Sequence, residues 1–384
     1  MTKNIIGFDA KRIVRNGTGL GSYGRTLVND LSQRQDMELR LYAPDKGRDD
    51  LRCQIVERPN VRFCYPQLST SNVQRSTFNV QRSFWRMKGI VADLRRDGVQ
   101  LYHGLTGELP IGIRASGIRS VVTVHDLIFL RHPEFYHWVD TKIYAWKFRQ
   151  MLREADHIIA ISECTKRDIL YYADVDESRI SVIYQSFAPR FGAAVSDEQC
   201  RVVRSTYALP ERFVLNVGSI EARKNVLQAV QALPLLPADL SLVIVGRHTP
   251  YTDRVMRYVH DHHLEHRVRV LHNVSADHLP VIYQMAETFV YPSVYEGFGI
   301  PIIEAISSGL PVVACTGSCL EEAGGPDGIY VRPGDVEAMA DAIRRSLAGA
   351  EGREQRIENS KKYIRRFGGC DVASQVAAIY QRLL

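Results

Sequence analysis

Glu296 and Glu304 bracket a segment, Gly297-Phe298-Gly299-Ile300-Pro301, that follows an apolar run. Two glycines let the backbone approach a ligand closely, and Pro301 suits a first helical turn. Free N–H groups at such a helix start favour an anion such as phosphate. Glu304 then falls one turn inside the helix, facing the same mouth as Glu296, where a carboxylate accepts hydrogen bonds from two adjacent sugar hydroxyls. Upstream, Gly218-Ser219-Ile220-Glu221-Ala222-Arg223-Lys224-Asn225 also runs from strand through glycine turn to helix start. Arg by forked hydrogen bonds and Lys as a point charge neutralise a diphosphate leaving group. Placed where negative charge develops, they lower the barrier electrostatically. The same spacings also suit a plain turn, capping glutamates and a solvated basic pair.

These segments need a scaffold that ends strands at one mouth. In the second half, 213–217, 240–245, 268–271, 288–291, 311–314 and 329–331 are Val/Ile-rich runs separated by helix-length stretches. Such runs predict a parallel sheet buried on both faces. In the first half, 5–8, 39–42, 121–124, 157–161 and 181–184 alternate with helical stretches at 22–31, 88–96 and 141–153, which predicts βαβ units. Residues 66–82 are rich in Gln, Ser, Asn and Thr and read as a mobile loop near the mouth of the first domain. Residues 187–209 read as a polar interdomain connection.

The predicted fold class is therefore α/β, two Rossmann-like doubly wound domains facing a cleft. The expected bounds are 1–195 for an acceptor-side domain and 196–365 for a donor-binding domain. A terminal helix over 366–384 is expected to pack back on the first domain.

A chain of 384 residues, 45% apolar and 24% charged, is long enough for two cores and typical of a folded globule. Its net charge of +6 is uneven: the first 190 residues hold 29 Lys and Arg against 21 Asp and Glu. The charges are scattered singly, which suits a solvated face or peripheral contact with anionic lipid, and no nucleic-acid partner is expected. The seven cysteines form no CxxC pair and read as reduced thiols. With neither a signal peptide nor an apolar run near the length of about eighteen residues that spans a bilayer, the expected location is cytoplasmic, peripheral on the inner face of the membrane. Asp174-Val175-Asp176 falls in a charged turn, and His260, His262, His263 and His266 lack an acid or Cys to close a zinc site. No metal or other cofactor is expected, the nucleotide-sugar being a substrate.

The Glu-Gly-Phe-Gly-x-Pro-x-x-Glu-Ala stretch and the Gly-Ser-x-x-x-Arg-Lys-Asn loop, in this order, resemble the retaining family-4 glycosyltransferases of GT-B fold, over nearly the whole chain. The resemblance implies sugar transfer from a nucleoside diphosphate donor to a glycan or lipid-linked acceptor hydroxyl, with retained configuration. It implies that Arg223 and Lys224 hold the diphosphate and Glu304 the ribose. Glu296, Gly297, Phe298 and Gly299 position the donor sugar and phosphate, and Ser219 lies in the same donor loop.

In the first half, the resemblance assigns Gly17, Gly19 and Gly21 to a glycine loop reaching donor phosphates and acceptor. Gly19 falls on the donor side, and Gly17 and Gly21 on the acceptor side. It gives His125 a catalytic contact with the donor sugar, places Asp126 beside it, and puts His103 on the acceptor side. Ser162 matches a family position and equally a helix cap. The Thr-Val-His-Asp-Leu context most resembles bacterial mannosyltransferases of polysaccharide assembly, which suggests GDP-mannose. UDP-hexose and deoxysugar donors, an epimerase on the same scaffold and a non-catalytic nucleotide-sugar-binding protein are the alternatives.

Overall fold

A computed structural model of the chain describes residues 3–67, 75–368 and 371–384, with 75–79 described by backbone alone. The chain divides into two compact units, Met1–Gln185 with Cys370–Leu384, and Ser186–Gly369. The first division falls ten residues before the expected one, because the start of the connection packs on the second unit. Phe191 is buried and meets Tyr283 edge-on at 5.3 Å, and the Gln284 amide donates to the carbonyl of Ala193 at 2.7 Å. The rest of the supposed connection is the helix Asp197–Tyr207, started by a capping box between Ser196 and Gln199.

The first unit is one parallel sheet built from β1 (Asn4–Asp9), β2 (Met37–Tyr42), β3 (Val61–Cys64), β4 (Leu101–Gly104), β5 (Arg119–Val124), β6 (His157–Ala160) and β7 (Ile180–Val182). Their order in space is β3-β2-β1-β4-β5-β6-β7. The final helix, Val372–Leu383, turns Ala373, Val376, Ala377, Ile379 and Tyr380 into this unit's core. Part of the segment read as a loop is helical, Arg75–Phe84, while 68–74 lie outside the described residues.

The second unit carries β8 (Arg212–Val217), β9 (Leu240–Val245), β10 (Val268–Leu271), β11 (Thr288–Tyr291), β12 (Val312–Cys315) and β13 (Ile329–Val331). These form a parallel sheet of order β10-β9-β8-β11-β12-β13. Each strand matches a predicted apolar run, and β9, β11 and β12 are buried along their whole length. Both sheets reverse strand order beside their first strand, at β1/β4 and at β8/β11. Doubly wound sheets bind ligands at such switch points, beyond the carboxyl ends of the strands. No described helix is long and apolar enough to cross a membrane.

Candidate active site

The β8/β11 switch point places side chains distant in sequence against one another. Beyond β8 a short helical turn, Ala222–Lys224, carries Arg223 and Lys224, and beyond β11 the chain passes through Ser293 to Glu296. The Val294 amide donates to the Arg223 carbonyl at 2.9 Å and ties the two loops together. Lys224 Nζ lies 2.5 Å from Glu296 Oε1, and Arg223 Nη1 lies 2.9 Å from Oε2. Arg223 Nη1 also donates to the Tyr295 carbonyl at 2.6 Å.

Two further partners went unread in the sequence. Lys224 Nζ donates to the Tyr291 hydroxyl at 2.7 Å, and the Ser293 hydroxyl donates to Glu296 Oε1. Tyr291 is the last residue of β11 and Ser293 is two beyond it; polar groups at a strand end just before a glutamate were the available signal.

The side chains of the cluster are largely buried. Burial alone would raise the Glu296 carboxyl, but Lys224 and then Arg223 hold it down at about 2. Burial likewise works against the Lys224 ammonium, and Glu296 outweighs it, so its pKa is raised. The site is thus two fixed cations and one fixed anion.

Past Glu296 the chain turns into the helix Ile300–Ser307. Gly299 caps it at φ 115°, a backbone region that disfavours side chains, and Pro301 sits in the first turn. Phe298 points into the core, edge-on to Phe367 at 5.3 Å, so only its backbone is available to a ligand. Gly297 and Ser219 are partly buried. Glu304 sits in the second turn of the helix and accepts from the Tyr283 hydroxyl at 3.3 Å. Burial pushes its pKa up to about 7, with Tyr283 and Arg190 offsetting part of the rise. Two carboxyls of one motif are therefore driven apart, one fully charged and one poised near neutrality.

In the first unit His125 directly follows the last residue of β5, and both its ring nitrogens are engaged. Nε2 lies 2.9 Å from the Leu105 carbonyl and Nδ1 lies 3.0 Å from the Gln185 amide nitrogen. A carbonyl can only accept and an amide N–H can only donate, so the imidazole is neutral with its proton on Nε2. Burial lowers its pKa to about 4. His125 and Asp126 line a pocket of about 250 Å3 with Arg12, Leu20 and Thr106. Asp126 Oδ1 accepts from the Ile128 amide at 3.2 Å and caps the next turn.

His103 does not line an acceptor surface. It is wholly buried, Nδ1 2.6 Å from the Tyr380 hydroxyl and Nε2 2.8 Å from the Thr123 hydroxyl, and it joins the last helix to the sheet. Gly17 and Gly19 are exposed, and a methyl group on Gly19 would meet nothing within 4 Å. Gly21 is buried, and a Cβ there would stand 1.8 Å from the Asn16 carbonyl oxygen, so this glycine serves the turn itself. Ser162 caps the helix Glu163–Tyr172 by accepting from the Thr165 amide at 3.0 Å. Asp176 caps a short turn, and His260 pairs with Glu265 at 2.9 Å.

Residues 17–189 match the glycosyltransferase family 4 and residues 204–363 match the glycosyl transferases group 1. O-antigen chain mannosyltransferase B of Escherichia coli is 31% identical over 95% of this chain and 96% of its own. O-antigen chain mannosyltransferase RfbU of Salmonella typhimurium is 27% identical over 93% of this chain and 94% of its own. Among solved structures, sucrose-phosphate synthase from Thermosynechococcus elongatus superposes with a TM-score of 0.79 at 21% identity, covering 99% of each chain. The HepE protein of Anabaena, in complex with UDP and glucose, gives 0.74 at 18% identity over 99% of this chain and all of that one. The last two share the GT-B fold. The two matched segments and the relative 31% identical over nearly the full length make this chain a member of the group 1, family 4 glycosyltransferases.

Proposed function

We propose that the protein is a retaining, metal-independent hexosyltransferase that moves mannose from GDP-mannose to a glycan or lipid-linked glycan. The observation that carries this reading is the buried Arg223–Glu296–Lys224 cluster at the β8/β11 switch point. A diphosphate entering there meets two cations whose charge is already desolvated and held in place, so little reorganisation is needed as the leaving group gains charge. The bond from the sugar to the diphosphate breaks as the bond from the acceptor oxygen forms, and the hydroxyl proton passes to the departing diphosphate. Arg223 and Lys224 take up the departing charge, the role a divalent metal would otherwise fill.

Glu296 orients the two cations and offers its second face to the donor sugar. Glu304 holds the ribose hydroxyls, and the amides from Gly297 to Gly299 approach the phosphate. The resemblance of the motifs gives neutral His125 a contact with the donor sugar. Mannose is supported by the names of the two full-length relatives. GDP follows from the resemblance of the motifs. Cytoplasmic placement, peripheral on the inner face of the membrane, is supported by the cationic excess of the first 190 residues.

A panel of nucleotide-sugars read by thermal shift, then by release of nucleoside diphosphate with and without acceptor, tests this reading. GDP-mannose should raise Tm most and release GDP faster when acceptor is present. Stabilisation by a UDP-hexose instead would overturn the donor assignment. No shift with any nucleotide-sugar would overturn the whole reading.

A further inference from the structure

The chemistry at Lys224 and Glu296 leaves unused a line of polar side chains that runs through the core of the first unit. It starts on the final helix, where the Tyr380 hydroxyl lies 2.6 Å from His103 Nδ1, and passes from His103 Nε2 to the Thr123 hydroxyl at 2.8 Å. From Thr123 it reaches the Tyr23 hydroxyl at 3.1 Å, on the helix Gly19–Leu31. The terminal helix, β4, β5 and the helix of the glycine loop are thus joined by hydrogen bonds between residues far apart in sequence.

This chain has a direction. Tyr380, His103 and Thr123 are wholly buried, whereas Tyr23 is partly buried. Burial lowers the pKa of His103 to about 3, so its ring is neutral and donates through one nitrogen only. Tyr380 packs in the apolar core beside Phe8, and its hydroxyl makes no other hydrogen bond among the described residues. An O–H stranded there would be costly, so Tyr380 donates to Nδ1 and the His103 proton lies on Nε2, directed at Thr123.

The far end of the chain meets His125. Thr123 stands two residues before it, and Tyr23 sets its ring at 86° to the imidazole with 4.9 Å between centroids. Leu105 and Gln185 hold the two ring nitrogens, and Tyr23 is the aromatic neighbour that packs on the ring itself. Edge-to-face pairs have a preferred angle, so a Tyr23 ring tied down by its hydroxyl holds the imidazole in turn.

We propose that Tyr380, His103, Thr123 and Tyr23 are positioning residues for sugar transfer, a buried chain through which the terminal helix fixes the His125 ring. This rests on the reading that His125 contacts the donor sugar. A polar chain inside a core is satisfied in one arrangement, which suits it to holding a ring at one angle.

Tyr380→Phe and Tyr23→Phe each remove one hydroxyl and keep the ring. Val376→Ala, in the same helix and core as Tyr380 but outside the chain, supplies a loss of packing alone. Nitrogen NMR of histidine-labelled protein should show the His125 ring signals moved in both tyrosine variants and unmoved in Val376→Ala, although Tyr380 bonds to His103 and not to His125. Turnover of GDP-mannose with acceptor should fall at least about threefold in each tyrosine variant, with KM for the donor and calorimetric affinity for GDP unchanged. In Val376→Ala, measured well below its Tm, turnover should stay within about twofold of wild type. If Tyr380→Phe does not fold, Tyr23→Phe carries the same readouts. His125 signals that stay in place in the folded tyrosine variants, or turnover that falls as far in Val376→Ala, would overturn the proposal. So would moved signals without loss of turnover. Wild-type turnover in His125→Ala would instead overturn the reading on which the proposal rests, so the two failures are distinguishable.

Discussion

Glu296 takes Lys224 on one carboxylate oxygen, at 2.5 Å, and Arg223 on the other, at 2.9 Å. One buried anion therefore sets the position of both cations assigned to the donor diphosphate, and its removal has two readable consequences, in stability and in catalysis.

The first consequence is a stability that depends on pH. The folded pKa of Glu296, about 2, lies below its ordinary 4.5, so the unfolded chain binds the proton more readily. The stabilisation is complete above pH 4.5 and is lost as pH falls through about 2. Glu296→Gln should lower unfolding free energy at pH 7 by on the order of 3 kcal/mol. In urea titrations the gap between the two proteins should shrink steadily below pH 5. A gap that stays constant down to pH 3 would contradict the buried ion cluster.

Glu304 runs the other way. Its folded pKa, about 7, lies above the ordinary 4.5, so the folded chain holds the proton longer and wild-type stability falls as pH rises from 4.5 through 7. Glu304→Gln keeps an acceptor for Tyr283 and removes the charge. It should gain up to about 3 kcal/mol relative to wild type at pH 8 and flatten that slope. If Glu304 holds the ribose, the same variant should bind donor about tenfold more weakly. Unchanged donor affinity would remove Glu304 from the site.

The second sheet was legible because its strands are continuous Val/Ile-rich runs, a pattern that burial on both faces requires. β3 escaped because Val61-Arg62-Phe63-Cys64 alternates and lies at the sheet edge, where only one neighbouring strand shields it. The helix Arg75–Phe84 was hidden by its polar composition, and Asp197–Tyr207 by the prolines on either side. Within the site, Arg223, Lys224 and Glu296 were readable from local spacing. The environment of His103 was not, since its partners Thr123 and Tyr380 lie 20 and 277 residues away and only the fold unites them.

His125 should act as a neutral group. Its folded pKa, about 4, is below the ordinary 6.5, so protonation costs stability as pH falls from 6.5 through 4. Nitrogen NMR of labelled protein should show the Nε2–H tautomer unchanged from pH 8 to about 5, and the turnover profile should carry no step from this residue near 6.5. Gln185→Ala, which unpairs Nδ1, should cost about 1 kcal/mol. A titration midpoint above 6 would contradict the assigned geometry.

The glycine loop separates packing from ligand approach. Gly21→Ala drives a Cβ onto the Asn16 carbonyl oxygen and should cost about 2 kcal/mol or more by thermal unfolding. Gly19→Ala, in open space at the start of its helix, should leave stability within about 0.5 kcal/mol or raise it. If Gly19 approaches the donor, turnover alone should fall in that variant; equal loss of stability in the two would contradict the loop geometry.

Whether Arg223 and Lys224 grip the diphosphate is decided by calorimetry of GDP against guanosine in wild type, Arg223→Ala and Lys224→Ala. Each substitution should weaken GDP at least about tenfold, the scale of roughly 1.4 kcal/mol, lower turnover by a similar factor and leave guanosine unchanged. Wild-type affinity for GDP in folded Lys224→Ala, or an equal loss for guanosine, would contradict that grip.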